Sequence, residues 1–401
     1  MRQKPLTRGD ALTDAVIVAA VRTPIGRGRK GGALAGVHPV DLLARSIEGV
    51  LEETGVPPEM IDDVIAGCVT QAGPQGANVA RTAALAAGLP ESVPGVTVDR
   101  QCGSSQQAVA FAAQGVISGA YDVVIACGVE SMSQVPIFSD TPPDADPYGR
   151  AFAGRYPDGM VNQGVSAELI AARWNLTRAE LDEFALASHA KAAAAWDAGA
   201  FEKEVLPCPE LAADEGVRRD TSAERLAALP AAFHSAAMAA RFPQLGWSVT
   251  AGNSSQISDG SAALLITSSD TAARLGLIPL ARVHTAVAVG DDPLYKLTAP
   301  IPATRAVLAK AGLGLSDIDL FEVSEAFASV VLAWARETGA DMDRVNVHGG
   351  GISLGHPLGA SGARLMTTLV HGLVHRGGRY GLQVMCEAGG VSNATIVERI
   401  A

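Results

Sequence analysis

Aromatic residues make up only 4% of this 401-residue chain, and charged residues only 18%. A basic excess is missing as well. The net charge is −11, which argues against a nucleic-acid binder. A polyanionic ligand would need a local basic patch, because the average field repels it. No apolar run approaches the length of a membrane span. Thr7 to Asp14 is too polar for a signal peptide, and Val16 to Val21 is too short for its apolar core. Glu398-Arg399-Ile400-Ala401 is not a peroxisomal address. Cysteine is sparse and odd in number. The five thiols, at 68, 102, 127, 208 and 386, have no paired spacing, which argues for reduced thiols in the cytoplasm over a disulfide frame or zinc site.

What is abundant is hydrophobic residue, 48%, with heavy use of alanine and glycine. That suits a large core in tightly packed α/β layers, divided into two or three domains. After an arm over residues 1–14, apolar β-branched runs at 15–21, 64–69, 96–98 and 122–128 read as strands. Amphipathic or alanine-rich runs at 39–53, 78–87 and from Ser104 onward read as helices. This alternation implies a parallel sheet with helices on it. Texture changes at Gln134. Residues 134–157 hold five prolines and read as an exposed loop. Helices are expected at 164–174 and, behind the capping box Thr177-Arg178-Ala179-Glu180, towards Trp196. Residues 201–243 look irregular. Core character returns at 260–266, and further strands are expected near 281–289, 320–323, 345–347 and 382–385.

A weak internal echo links the two ends. Cys102 precedes a helix and then a strand holding Cys127; Ala360 precedes a helix and then a strand holding Cys386. The division read from this is 1–131 plus 258–280 as one half, 132–257 as a lid and ligand-binding insertion, and 281–401 as the other half.

The chain turns on Val96-Thr97-Val98-Asp99-Arg100-Gln101-Cys102-Gly103-Ser104-Ser105-Gln106. A thiol at a strand-to-helix turn lies near the unpaired N–H groups of the helix start. That field favours the thiolate. Asp-Arg-Gln-Cys-Gly-Ser-Ser-Gln in this setting resembles the nucleophile motif of the thiolases, which make and break 3-ketoacyl-CoA thioesters. Three further blocks carry the resemblance. Gly349-Gly350-Gly351-Ile352-Ser353-Leu354-Gly355-His356-Pro357-Leu358-Gly359-Ala360-Ser361-Gly362 is similar to the family's long histidine motif. Met385-Cys386-Glu387-Ala388-Gly389-Gly390 holds a second cysteine, and Ser324-Glu325-Ala326-Phe327 resembles the N-E-A-F motif.

The resemblance implies a duplicated α/β fold: two similar halves with mixed five-stranded sheets and shared central helices. It implies that Cys102 is the nucleophile, that His356 takes its proton and helps hold the thioester oxygen, and that Cys386 is the carbon acid and base. Two positions depart from the pattern. Ser324 stands where asparagine would orient an oxyanion water, and serine is shorter with one donor. Ala388 stands where glycine offers a backbone N–H to the other oxyanion hole, which alanine can do only if φ need not be positive. Thr250-Ala251-Gly252-Asn253-Ser254-Ser255 resembles the stretch that touches the pantetheine arm of CoA, placing Ala251 and Ser255 there beside Ala326 and Phe327. Arg218 and Arg219 are candidates for the CoA phosphates, or solvated surface charge.

CoA and acyl-CoA are thus expected as cosubstrates, with no metal and no bound cofactor, in a homodimer or homotetramer without nucleic-acid or membrane partners. Asn162-Gln163-Gly164 replaces the His-Met-Gly usual in short-chain biosynthetic members, which points to a degradative enzyme for longer or bulkier acyl chains. The competing readings are a ketoacyl synthase of the same fold, against which Cys386 and the insertion argue, and a feebly active acyl-CoA-binding partner subunit. His371 and His375 read as helix surface, and His348 lies close in sequence to the histidine block.

Overall fold

The computed structural model of the protein describes residues 13–142 and 144–400. Most of the expected N-terminal arm lies outside the described residues. β1, Val16–Arg22, is buried along its whole length, as a strand covered on both faces must be. It is followed by β2 (Gly26–Arg27), β3 (Asp63–Gly67), β4 (Gly95–Val98) and β5 (Val123–Ser131). The later strands are β6 (Ser258–Thr267), β7 (Ala281–Gly290), β8 (Leu320–Val323), β9 (Tyr380–Val384) and β10 (Val391–Arg399).

These strands join in the order β4-β3-β5-β6-β1-β7-β10-β9-β8, with β2 beside β6. The parallel sheet expected from the strand–helix alternation is found only at β3–β4, β3–β5 and β8–β9. The pairs β5–β6, β1–β6, β1–β7, β7–β10 and β9–β10 are antiparallel. Alternation predicts parallel pairing only where a helix crosses over between neighbours, and β6 and β10 do not enter that way. β10 had no apolar signal, because Ser392, Asn393 and Thr395 interrupt it, yet all three are buried. The strand expected at 345–347 forms only isolated bridges, one of them parallel between Phe321 and Val345.

With that bridge included, the order reads alike in both halves: β4-β3-β5-β6-β1 and Val345-β8-β9-β10-β7. The halves meet edge to edge where Val16 and Ile17 of β1 pair with Arg282 and Ala281 of β7. Two helices, Ser104–Ser118 and Ser361–Arg376, share one apolar cluster with residues of both halves, including Ile17, Leu264, Leu320 and Val397. Their first turns press together. A Cβ at Gly362 would lie 2.2 Å from Gln106 N, so only glycine fits.

Between β5 and β6 run residues 132–257. The part read as an exposed loop contains a helix, Gly149–Arg155. The helices Gln163–Arg173 and Arg178–Asp197 follow, the second with the expected Thr177–Glu180 capping box. The irregular region holds two short helices, Ala223–Ala227 and Ala236–Arg241. Arg22 ties this stretch to β1. Fully buried, it donates from Nε to Glu204 (2.6 Å) and through both Nη atoms to Asp214 (2.7 and 3.0 Å), with its guanidinium over the Phe201 ring. Removing one partner of such a buried pair costs about 3–5 kcal/mol, because the other charge is left uncompensated.

Candidate active site

β4 ends at Val98 and the helix begins at Ser104, so Cys102 sits in a tight connection. The turn is strained: Gln101 has φ 49°, the left-handed region that non-glycine residues seldom adopt. Ser104 locks it, accepting from Arg100 N (2.9 Å) and donating to Gln101 O (2.5 Å). Behind the turn stands Glu387, whose Oε1 would lie 1.8 Å from a Cβ at Gly103. A side chain at position 103 would displace the Glu387 carboxyl.

The Cys102 thiol is 5% exposed. Burial first, then the neighbouring Cys386 and Glu387, hold its pKa well above that of an ordinary thiol. The helix-end field expected to favour the thiolate is outweighed, because desolvation penalises any charge there. Cys386 lies in the connection 385–390 between β9 and β10. Burial pushes its thiol up to about 11, opposed by contacts from the Ser324 side chain and the Ala326 N–H. Both thiols are protonated at neutral pH.

His356 is a neutral group able to accept a proton. Burial and the Arg364 charge pull it down to about 4, so it is neutral at pH 7. Its tautomer follows from Ser361. That hydroxyl gives its one proton to Pro357 O (2.7 Å) and lies 2.7 Å from His356 Nδ1, so it must accept from Nδ1–H. Nε2 therefore carries the lone pair, and it is buried with no hydrogen-bond partner among the described residues. The backbone N–H of His356 is fixed by Ser258 Oγ (3.0 Å) and Gln256 O (3.2 Å). Leu358, two residues on, shares an apolar cluster with Cys102, Met385 and Val69.

Two buried carboxylates, neither expected from the sequence, hold these loops. Glu325 accepts from Asn346 Nδ2 (2.8 Å), Ser188 Oγ (2.7 Å) and Ile352 N (3.1 Å), clamping the glycine-rich loop. Glu130 accepts from Val69 N (2.9 Å), Thr70 N (3.1 Å), Gln75 Nε2 (2.7 Å) and Gly359 N (2.8 Å), joining the halves just before Ser361. The only sequence signal was a carboxyl inside an otherwise apolar strand or motif.

Beside Cys102 opens a cavity of about 630 Å³, walled by Leu358 and Ala388 and, from the 132–257 stretch, by Ile137, Phe138, Tyr148, Phe152 and Met160. That volume suits a small-molecule ligand. Ala388 lies outside the positive-φ residues, while Gly389 (φ 86°) and Gly390 (φ 78°) take that conformation. Alanine is thus no obstacle to presenting this N–H. Ser324 is buried with its side chain against Cys386.

The residues expected at CoA do not line this cavity. Ser255 N donates to Ala326 O (2.9 Å), Ser254 bridges to Phe327, and Ala251 is exposed, so the 250–256 stretch runs along the Ser324–Phe327 block. Arg218 is exposed, and Arg219 is paired with Asp197 at 2.9 Å through both Nη atoms. His371 is not helix surface: it is buried with Nε2 2.8 Å from Ala20 O. His375 is exposed. His348 is buried edge-on to Phe201. No cluster of three or more His, Cys, Asp or Glu among the described residues is placed to hold a metal, and no described helix is long and apolar enough to cross a membrane.

Residues 15–270 match the thiolase N-terminal domain family and residues 277–399 the thiolase C-terminal domain family. The chain belongs to the thiolase family. Among its relatives, a steroid 3-ketoacyl-CoA thiolase of Mycobacterium tuberculosis is 48% identical, covering 99% of this chain and 97% of the relative. A 3-ketoacyl-CoA thiolase of Bacillus subtilis is 39% identical over 96% of this chain and all of the relative. The crystal structure of the Bacillus anthracis acetyl-CoA acetyltransferase superposes with a TM-score of 0.87 at 38% identity, covering 97% of this chain and 100% of that one. The thiolase fold is thus shared over nearly the whole chain, and with it the class of acyltransferase that uses CoA as cosubstrate.

Proposed function

We propose that the protein cleaves a 3-ketoacyl-CoA with CoA, giving acetyl-CoA and a shortened acyl-CoA, through an acyl-Cys102 intermediate. The observation that carries this is the neutral His356 with its Nε2 lone pair buried and unpartnered. Cys102 Sγ attacks the 3-keto carbon while Nε2 takes the thiol proton. The C2–C3 bond breaks, and the electron pair left on C2 takes the proton of Cys386. The resulting Cys386 thiolate removes the proton of an incoming CoA thiol, whose sulfur displaces the acyl group from Cys102. His356 returns its proton to the departing Cys102 sulfur. Run backwards, the same steps condense acetyl-CoA with an acyl-CoA.

In this reading the Cys102 and Ala388 N–H groups hold one oxyanion, and His356 with a water at Ser324 holds the other. Ala251, Ser255, Ala326 and Phe327 take the pantetheine arm, with Arg218 and Arg219 towards the phosphates. Residues 132–257 act as the lid between two halves, 1–131 with 258–280 and 281–401. The wide apolar cavity and the steroid-directed relative support an acyl group bulkier than acetyl. A homodimer or homotetramer is supported by the outer strand β4 and its exposed Val96, with Phe111 and Ile117 exposed on the helix packed against it. Five free cysteines support a cytoplasmic setting.

The experiment is thiolysis of short, long and polycyclic 3-ketoacyl-CoA thioesters, with Cys102→Ala as control. Turnover is expected for at least one, with no acyl-enzyme mass in the control. Acyl labelling of the control at the wild-type level would overturn the assignment.

A further inference from the structure

Lys296 is the one basic side chain among the described residues on the wall of the cavity beside Cys102. It is 7% exposed, although lysine is long enough to carry its ammonium out to water. Nζ donates to Val161 O, and Lys296 forms no salt bridge among the described residues. Asp140, the one acidic residue among the described residues on that wall, is exposed. The backbone is strained to put it there. Lys296 has φ 52°, and Leu297 N–H donates across it to Tyr295 O in a three-residue turn. Glycine would take that conformation at lower cost. A strained, desolvated cation on the wall of a substrate cavity is an outlier that points to function.

Building on the thiolysis reading, we propose that Lys296 receives a carboxylate carried by the acyl group, so that the preferred substrates are 3-ketoacyl-CoA thioesters bearing a second acid away from the thioester. The rest of the wall is mainly apolar and aromatic, which suits the carbon skeleton between the two ends. Burial lowers the pKa of the ammonium, and an incoming carboxylate would restore the favourable charge pair in a setting where such bonds are strong.

The test uses the full chain and pairs of 3-ketoacyl-CoA thioesters of equal length, one ending in methyl and one in carboxylate, over a series of lengths. The wild-type protein is expected to favour the carboxylate by about tenfold or more in kcat/KM at its best length, mainly through KM. Lys296→Met should abolish or invert that ratio, and Lys296→Arg should keep it. Equal or better use of the methyl-ended substrate at every length by the wild type would overturn the proposal, and that comparison needs no variant. An unchanged ratio in Lys296→Met would overturn it too. Turnover of methyl-ended substrates without a carboxylate preference leaves the thiolysis reading intact, whereas no turnover of these pairs or of the polycyclic 3-ketoacyl-CoA thioesters removes both.

Discussion

The two halves of the sheet share one strand order, and they differ in which loop is long. In the first half the connection after β4 is short and holds Cys102, while the one after β5 is long, spanning residues 132–257. In the second half the connection after β9 is short, spanning 385–390, and holds Cys386. The long one leads through the glycine-rich segment to His356 and the helix Ser361–Arg376. Both thiols thus stand on short connections, where flanking strands and helices fix them. The long connections shape what surrounds them. Similar topology has yielded two unlike ends, and the site forms where they face each other.

The strongest way to break this division is to remove the thiol of one short connection. Cys386→Ser should lower overall thiolysis by about 10²–10⁴-fold, while acyl transfer from a preformed acyl-CoA to Cys102 persists as an intact-mass shift. That labelling should be slower, since Cys386 also returns a proton to the departing CoA sulfur, and its complete loss would mean that Cys102 cannot be acylated without its partner thiol. Next comes the orienting contact at the start of the second helix. Ser361→Ala removes the acceptor for His356 Nδ1–H, so the wrong tautomer becomes available. Acylation should slow by about tenfold to a hundredfold, in line with catalytic groups whose orienter is lost. An unchanged single-turnover rate would show that His356 holds its tautomer without Ser361.

Glu387 tests how tightly the halves are pressed together. It stands on the second half's short connection against Gly103 of the first, and burial raises its carboxyl to about 8. A carboxyl whose folded pKa lies above its unfolded value of 4.5 contributes its stability in full below about pH 4.5. It loses that contribution as pH rises through about 8. Glu387→Gln escapes the loss. Its melting temperature relative to wild type should therefore climb by a few degrees between pH 5 and pH 9. A constant difference across that range would place the carboxyl in water. His356 gives the opposite sign: pulled down to about 4 from 6.5, it contributes above pH 6.5 and loses stability as pH falls towards 4.

The smallest effect is expected at Ser324, whose side chain touches Cys386. Ser324→Asn should preserve or raise kcat/KM, since the amide keeps a donor and adds another. A fall beyond about tenfold would make the serine a necessary part of this site.

Much of this was legible in the chain. Cys102, His356 and Cys386 each stand in a motif dense with glycine and serine, and the structure brings the loops bearing all three together. The single-helix connections and the capping box at Thr177 were equally plain. What failed to show was anything defined by a partner far away in sequence. β10 looked too polar because its asparagine and threonine are satisfied by the other half and its serine by the preceding connection: Thr395 Oγ1 takes a hydrogen bond from Gln106 Nε2 (2.9 Å), Asn393 Nδ2 donates to Gln107 Oε1 (3.0 Å), and Ser392 Oγ donates to Met385 O (2.6 Å). His371 looked like surface until β1 offered it a carbonyl.

The sequence by itself determined the family and the motifs of the candidate site, because glycine, thiol and imidazole stand there within a few consecutive residues. Only the tertiary structure decided the protonation states and the shape of the acyl cavity. Burial sets the thiols high and the imidazole low, and burial is a property of what packs around a residue. The same holds for Lys296, an ordinary lysine in the sequence and a buried cation on the cavity of Cys102 once the long connection has folded over it.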